Sequence, residues 1–332
     1  MKISLLKKST ILVSGLLWQV ACFNNADRNN PLDPRSDKFE NVGSVTGQTL
    51  TIYKPSKVID DVEIKMEPGP LISMTDSQGQ FTFTNIPVGK YYIWASKEGY
   101  TSDFDSLIVQ LGQTTPIEMN LDGLPIITSQ SMITGHISRW WPQNELFLLE
   151  IMAQVEDPDG LNDIELVQIQ IPELNFLDTL EVTQNPGMFR KNLTESQLPG
   201  NNLQNILGRN IFLYAQDRAG SQTKSPPNYL VRIIEQTPVT ESPQGLEILQ
   251  VPRPLLIWKP ITLSFRFSFR VEVVRIDQGI NNTIWTLSDI DYTTNSVTMA
   301  DSLVTGTYFW TISVVDEFGN WSRSKEASFR IN

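Results

Sequence analysis

A single cysteine, Cys22, and a single histidine, His136, are all that these 332 residues carry of either type. With one cysteine no disulfide can form within the chain, so apolar cores must hold every domain. With one histidine, a His-based zinc peptidase site, which takes at least two, cannot be assembled. Nucleophilic catalysis by a Ser-His-Asp set would depend on His136, and no nucleophile elbow accompanies it. Basic residues are also short: 26 Lys and Arg stand against 37 Asp and Glu, a formal charge of −11. An acidic surface of that size argues against nucleic acid as a partner and against electrostatic adhesion to anionic lipid. No apolar run reaches the ~20 residues that cross a bilayer as a helix. Phosphate-loop and dinucleotide fingerprints are missing. Long stretches of helical periodicity are missing as well, which leaves strands as the building material.

What is present begins at the N-terminus. Lys2, Lys7 and Lys8 precede a short apolar run from Ile11 to Leu17, and Gln19-Val20-Ala21-Cys22 follows. A basic start, an apolar centre and a small residue before a cut form a secretory signal. The Val-Ala-Cys ending resembles a lipobox, the motif at which bacteria acylate the cysteine and cleave before it, although Gln19 stands where that motif usually has Leu. The resemblance implies residues 1–21 as signal peptide and Cys22 as the lipidation site, anchoring the chain to a membrane of the bacterial cell envelope, with Phe23 favouring the outer membrane. Acylation would also remove a free thiol from an oxidising compartment, and several acyl chains together anchor stably where one is marginal. Residues 22–41 are polar, rich in Asn and Asp and broken by Pro31 and Pro34, the composition of a tether. Their Asn-Pro-Leu-Asp-Pro element resembles the start of many lipoproteins of the Bacteroidota.

Beyond the tether, strand patterns recur at short intervals between Gly, Pro, Asn and Asp, which predicts an all-β chain of three consecutive sandwiches. In residues 42–122, Val62 to Met66 alternates with period two, Asp76 to Gly79 forms a tight turn, and Phe81-Thr82-Phe83 starts the next strand. The order Asp-x-x-Gly-x-Phe, then Pro87-x-Gly89-x-Tyr91, then Glu98-Gly99-Tyr100 resembles the carboxypeptidase regulatory-like domain, a transthyretin-like sandwich and an accessory module. In residues 123–237, Leu146 to Val155 is a strong strand, Ile164 to Ile171 is expected to alternate, and Leu203 to Leu207 suggests a short helical connection. Asp157-Pro158-Asp159-Gly160 and the strand ending at Asp217 resemble bacterial Ig-like modules. In residues 238–332, Phe265, Phe267, Phe269, Val271 and Val273 share one face. Leu303 to Asn320 resembles the last strands of a bacterial fibronectin type III domain, with one residue fewer before Tyr308. That departure leaves open whether its hydroxyl makes a tyrosine-corner contact. Segments two and three echo each other: apolar residues precede Asp217 and Asp316 by two, four and six places, and a glycine follows each by three. A strand ending in an Asp/Gly turn explains this without a ligand.

Two places invite a ligand. Asp157, Asp159, Asn162 and Asp163 offer oxygens of the kind Ca²⁺ takes, but without EF-hand spacing or a bidentate Glu, and a solvated Asx turn is the better account of them, with Ca²⁺ the alternative. Trp140-Trp141-Pro142 places two indoles side by side. If this stretch is strand, one of them faces out and can stack on a sugar ring, although such pairs also fill domain junctions. Any fold can bring two carboxylates together, and nothing nominates a catalytic pair. The expectation is therefore a membrane-anchored, non-enzymatic envelope lipoprotein that acts as spacer, scaffold or adhesion module, its partner a glycan or an envelope protein, with no cofactor beyond the Ca²⁺ alternative. The competing expectation is a glycan-binding lipoprotein that serves an outer-membrane polysaccharide transporter.

Overall fold

The computed structural model describes Ser36 and residues 41–332, so the expected signal peptide, Cys22 and nearly all of the tether lie outside the described residues. The chain divides into two compact units, Met1–Asp122 and Gly123–Asn332. Among the described residues no helix is long and apolar enough to cross a membrane. The described chain is all-β, and its helical pieces are 3-10 turns of three or four residues, Leu203–Ile206 among them.

The first unit is a seven-stranded sandwich. Its strands are β1 (Val42–Thr51), β2 (Glu63–Glu67), β3 (Leu71–Met74), β4 (Gln80–Pro87), β5 (Gly89–Ser96), β6 (Asp103–Val109) and β7 (Thr114–Leu121). One sheet runs β4-β1-β7 and the other β3-β2-β5-β6. The period-two pattern decides which side chains enter the core: Val62, Ile64 and Met66 are fully buried, as are Ile93, Ala95, Met119 and Leu121. The Asp76 turn forms because its Oδ1 accepts the N–H groups of Gln78 and Gln80 while Gly79 takes φ +67°.

The second unit holds β8 (Ile126–Ile137), β9 (Leu146–Glu156), β10 (Ile164–Ile171), β11 (Phe176–Val182), β12 (Met188–Thr194), β13 (Phe212–Asp217) and β14 (Gln222–Lys224) around one core. It continues with β15 (Thr240–Ser242), β16 (Glu247–Leu249), β17 (Leu255–Trp258), β18 (Phe267–Asp277), β19 (Ile280–Asp291), β20 (Ser296–Thr298), β21 (Gly306–Asp316), β22 (Trp321–Arg323) and β23 (Ala327–Ile331) around another. In β10 the alternation carries a bulge. The register shifts between Ile164 and Leu166, so Ile164 and then Val167, Ile169 and Ile171 all point inward although the first two stand three positions apart. In β21 the expected phase is present: Trp310, Ile312 and Val314 are fully buried. The Tyr308 hydroxyl donates to the Val304 carbonyl at 2.7 Å, so the corner contact forms despite the shorter spacing. Tyr91 makes the same i−4 contact with Pro87 in the first unit, at 3.0 Å.

The two cores of this unit are separate, but their sheet is not. One continuous sheet runs β14-β13-β10-β11-β12-β9-β8-β22-β21-β18-β19, with β23 and β16 branching from β21. The join is the parallel pairing of β8 with β22: Trp321 opposite Gly135, Ser322 opposite His136, and Arg323 opposite Ile137. Gly135 is required there, because a Cβ at this position would stand 2.6 Å from the Trp321 ring. The connecting segment is shared residue by residue. Leu230 is buried in the first core and Ile234 in the second, and Ile233 packs on the first.

Polar groups close the seam. The Asp316 carboxylate is buried and accepts from Arg232 at 2.8 Å and from the Asn320 amide at 3.1 Å. The Asn320 amide oxygen accepts the Thr134 backbone N–H at 2.9 Å. The Thr134 hydroxyl reaches the Arg232 carbonyl at 3.0 Å, and the Ser322 hydroxyl the Gln236 carbonyl at 2.8 Å. The Arg232 guanidinium also lies 4.1 Å from the centre of the Phe265 ring. Asp316→Ala removes one partner of a buried charge pair together with two turn hydrogen bonds, and should cost about 3–5 kcal/mol in urea unfolding. Gly135→Ala should cost about 1–3 kcal/mol, because the indole must be displaced from an already packed seam. A loss under ~0.5 kcal/mol in both variants would mean that the seam contributes nothing to stability.

Candidate functional site

The Trp140–Trp141 pair sits on the loop between β8 and β9, not on a strand, so the opposite-face rule does not apply and both indoles are exposed, at 63% and 81%. The loop is cross-braced: the Arg139 guanidinium donates to the Asn144 carbonyl at 2.8 Å and to its side-chain oxygen at 3.1 Å. Trp140 is fixed by a hydrogen bond from its Nε1 to the Glu326 carbonyl at 2.8 Å, and the Lys325 ammonium lies 4.5 Å from its ring centre. Trp141 has the most exposed large apolar side chain among the described residues. Local sequence carried the pair itself. Lys325 and Glu326, some 186 positions downstream, carried no signal linking them to it.

His136 lies at the base of the same loop and is 1% exposed. Its ring stacks on Phe147 at 4.1 Å, Nδ1 meets the Ile234 carbonyl at 3.0 Å, and Nε2 meets the Glu145 carboxylate at 3.1 Å. The Nδ1 contact holds β8 to the connecting segment, and Nε2 lies beside the Glu145 carboxylate of the loop without a hydrogen bond.

The acidic stretch after β9 comes together in part. Asp159 and Asp163 are buried, with carboxylate oxygens within 4.8 Å of each other. Asp157 is half-buried, and Asn162 is exposed, its carbonyl accepting from Arg218 at 2.8 Å. Buried Asp217, from the end of β13, adds its charge to the group. The only sequence signal for Asp217 was the Asp/Gly echo, and that echo described its turn. Much of the wiring is turn formation: Asp157 Oδ1 accepts the Asp159 N–H at 2.7 Å, Asp159 the Gly123 N–H at 3.3 Å, and Asp217 the Ser221 N–H at 2.8 Å. Burial, with repulsion from Asp163, Asp159 and Asp217, raises the Asp157 carboxyl to about 7 against the pull of the Asp159 N–H. A proton on Asp157 relieves this repulsion, and an oxygen-seeking cation such as Ca²⁺ would relieve it in the same way.

The raised carboxyl has a sign that can be measured. Between the ordinary Asp range, near 4, and about 7, the folded chain holds a proton that the unfolded chain releases, so this group's stabilisation is complete at low pH and is lost as pH rises through 7. Asp157→Asn cannot ionise and its amide oxygen can still accept the Asp159 N–H. The variant should therefore be the more stable protein at pH 8, with the difference in melting temperature shrinking toward pH 5. Parallel melting curves at both pH values would refute the assignment.

The chain matches no protein-family model and no curated protein. Among solved structures it is similar to the TIE protein of Bacillus anthracis, at 11% identity over 88% of this chain and a TM-score of 0.27, and it spans about half (49%) of that protein's length. It is similar to the FN1–FN3 domains of chicken CNTN1, at 11% identity over 83% of this chain and 92% of that one, TM-score 0.33. It is also similar to a putative carbohydrate binding protein from Bacteroides uniformis, at 9% identity over 57% of this chain and 99% of that one, TM-score 0.25. Similarity at this level identifies neither a ligand nor an activity.

Proposed function

We propose that this chain is a non-enzymatic cell-envelope lipoprotein, anchored through Cys22, that holds β-sandwiches at a membrane surface as a spacer and binding module. The Trp140–Trp141 loop carries this reading: two indoles stand in solvent while their loop is braced by Arg139, Asn144 and the Glu326 carbonyl. Exposed aromatic area on a preorganised loop loses little entropy when a partner arrives, so it is suited to contact. His136, the one residue through which nucleophilic or His-metal chemistry would run, is engaged in the seam. The anchor rests on the Val20-Ala21-Cys22 ending after an apolar run.

The same loop favours a glycan as the partner over a purely mechanical role, because indole faces stack on pyranose rings. A lipoprotein that hands polysaccharide to an outer-membrane transporter is the specific form of that second reading. Two experiments separate the parts. Cys22→Ser should move the protein from the membrane fraction to the soluble fraction and abolish labelling by a fatty-acid analogue; retention in the membrane would end the lipoprotein proposal. Replacing Trp140 and Trp141 together by Ala should reduce retention on immobilised polysaccharide at least tenfold while the melting temperature stays within a few degrees. A large drop in melting temperature would reassign the pair to structure.

A further inference from the structure

A second concave surface lies at the end of the last sandwich, away from the indole loop in sequence. It is a groove of about 670 Å³ lined by residues 261–267 and Tyr292, within the usual size of small-ligand sites, roughly 300–1,000 Å³. Residues 261–266 connect β17 to β18 and take no part in the hydrogen-bond ladder of either sheet. Their pattern nonetheless alternates. Ile261, Leu263 and Phe265 are half-buried against the core, while Thr262, Ser264 and Arg266 are exposed. The outward row of this segment is therefore two hydroxyls followed by a guanidinium.

Arg266 differs from its neighbour Arg232. Arg232 is committed to Asp316 at 2.8 Å and to Glu317 at 3.2 Å. Arg266 closes no ion pair of its own among the described residues, although its charge stands near enough to Glu317 to help lower that carboxyl. Tyr292 lines the same groove. Tyr292 is 58% exposed and meets Phe267 in a T-shaped contact at 5.9 Å and 61°. An aromatic ring, two hydroxyls and an exposed guanidinium thus line one groove.

We infer that this groove binds an anionic saccharide of the uronic-acid class. The pyranose ring would stack on Tyr292, its hydroxyls would exchange hydrogen bonds with Thr262 and Ser264, and its carboxylate would be taken by the Arg266 fork. The selection rests on Arg266 itself: its guanidinium can pair with a carboxylate, whereas a neutral sugar offers it no charge to meet. The site is separate from Trp140 and Trp141, so it stands or falls independently of the contact proposed for that loop.

The test is calorimetric titration of the full chain carrying Cys22→Ser with trigalacturonate, and with its methyl ester as the neutral isostere. The acid should bind at least tenfold more tightly than the ester, with the advantage shrinking between 50 mM and 500 mM salt. Arg266→Gln should remove that advantage and leave the ester's affinity unchanged. Arg266→Lys, which keeps the charge but loses the fork, should recover only part of it. Tyr292→Ala should weaken acid and ester alike by about fivefold or more. Replacing Trp140 and Trp141 by Ala should change neither, which distinguishes this site from the indole loop. Equal affinity for acid and ester, an Arg266→Gln variant indistinguishable from the parent, or no binding of trigalacturonate would each overturn the inference. Capture of an acidic peptide in place of the sugar, with the same dependence on Arg266, would overturn the ligand class.

Discussion

Three backbone pairs join β8 to β22, and the architecture of residues 123–332 depends on them. Two sandwiches with separate cores would ordinarily be hinged, since few contacts cross a linker. Here the sheet itself crosses. The parallel register requires a residue without a side chain opposite Trp321, and Gly135 supplies it. Once β22 is seated, the turn before it brings Asp316 and Asn320 against Arg232 and Thr134, so the buried Asp316 carboxylate is met by a guanidinium from the segment that follows the first core. A half-satisfied version of this network would be worse than an apolar seam, which ties the two cores into one mechanical element.

The hairpins that end the two sandwiches are built alike, and the likeness runs deeper than the Asp/Gly echo. After β13, Asp217 Oδ1 accepts the Ser221 N–H; after β21, Asp316 Oδ1 accepts the Asn320 N–H. Gly220 and Gly319 both take positive φ, 94° and 86°. Further along, the Ser225 hydroxyl accepts the Leu213 N–H at 2.9 Å and the Ser324 hydroxyl the Ile312 N–H at 3.0 Å. One local solution thus serves twice, with different surroundings. Asp316 meets a guanidinium, whereas Asp217 adds its charge to the burial and the neighbouring carboxylates that raise Asp157. The same Asx turn is a clasp in one sandwich and part of an electrostatic load in the other.

The outward-facing chemistry divides in the same manner. Trp140 and Trp141 are conspicuous as a pair, so sequence singled them out; what holds them in solvent comes from Arg139, Asn144, Lys325 and Glu326, of which the last two are remote in the chain. The groove beside Arg266 was not legible, because Phe265 and Phe267 were visible only as members of an inward row. Ile261, Leu263 and Phe265 do keep one phase, and the segment became part of a groove only with Tyr292 beside it. His136 was legible as solitary, and its engagement by Ile234 and Glu145 was not.

Local pattern determined the all-β class, the phases of β2 and β21, and the Asp/Gly turns, because each follows from a two-residue repeat or from a side chain bonding its own backbone a few residues on. The same rules misphased β10 by not anticipating a bulge, since a bulge is decided by the partner strand: Ile164 pairs with Asp217 while Leu166 pairs with Gln216. The joining of two sandwiches into one sheet, the partner of Asp316, the raised carboxyl of Asp157 and the groove at Arg266 were decided only by tertiary structure. Each depends on residues dozens to nearly two hundred positions apart meeting at a few ångströms, and hydrogen bonds and electrostatic fields act over distances in space to which spacing along the chain gives no access.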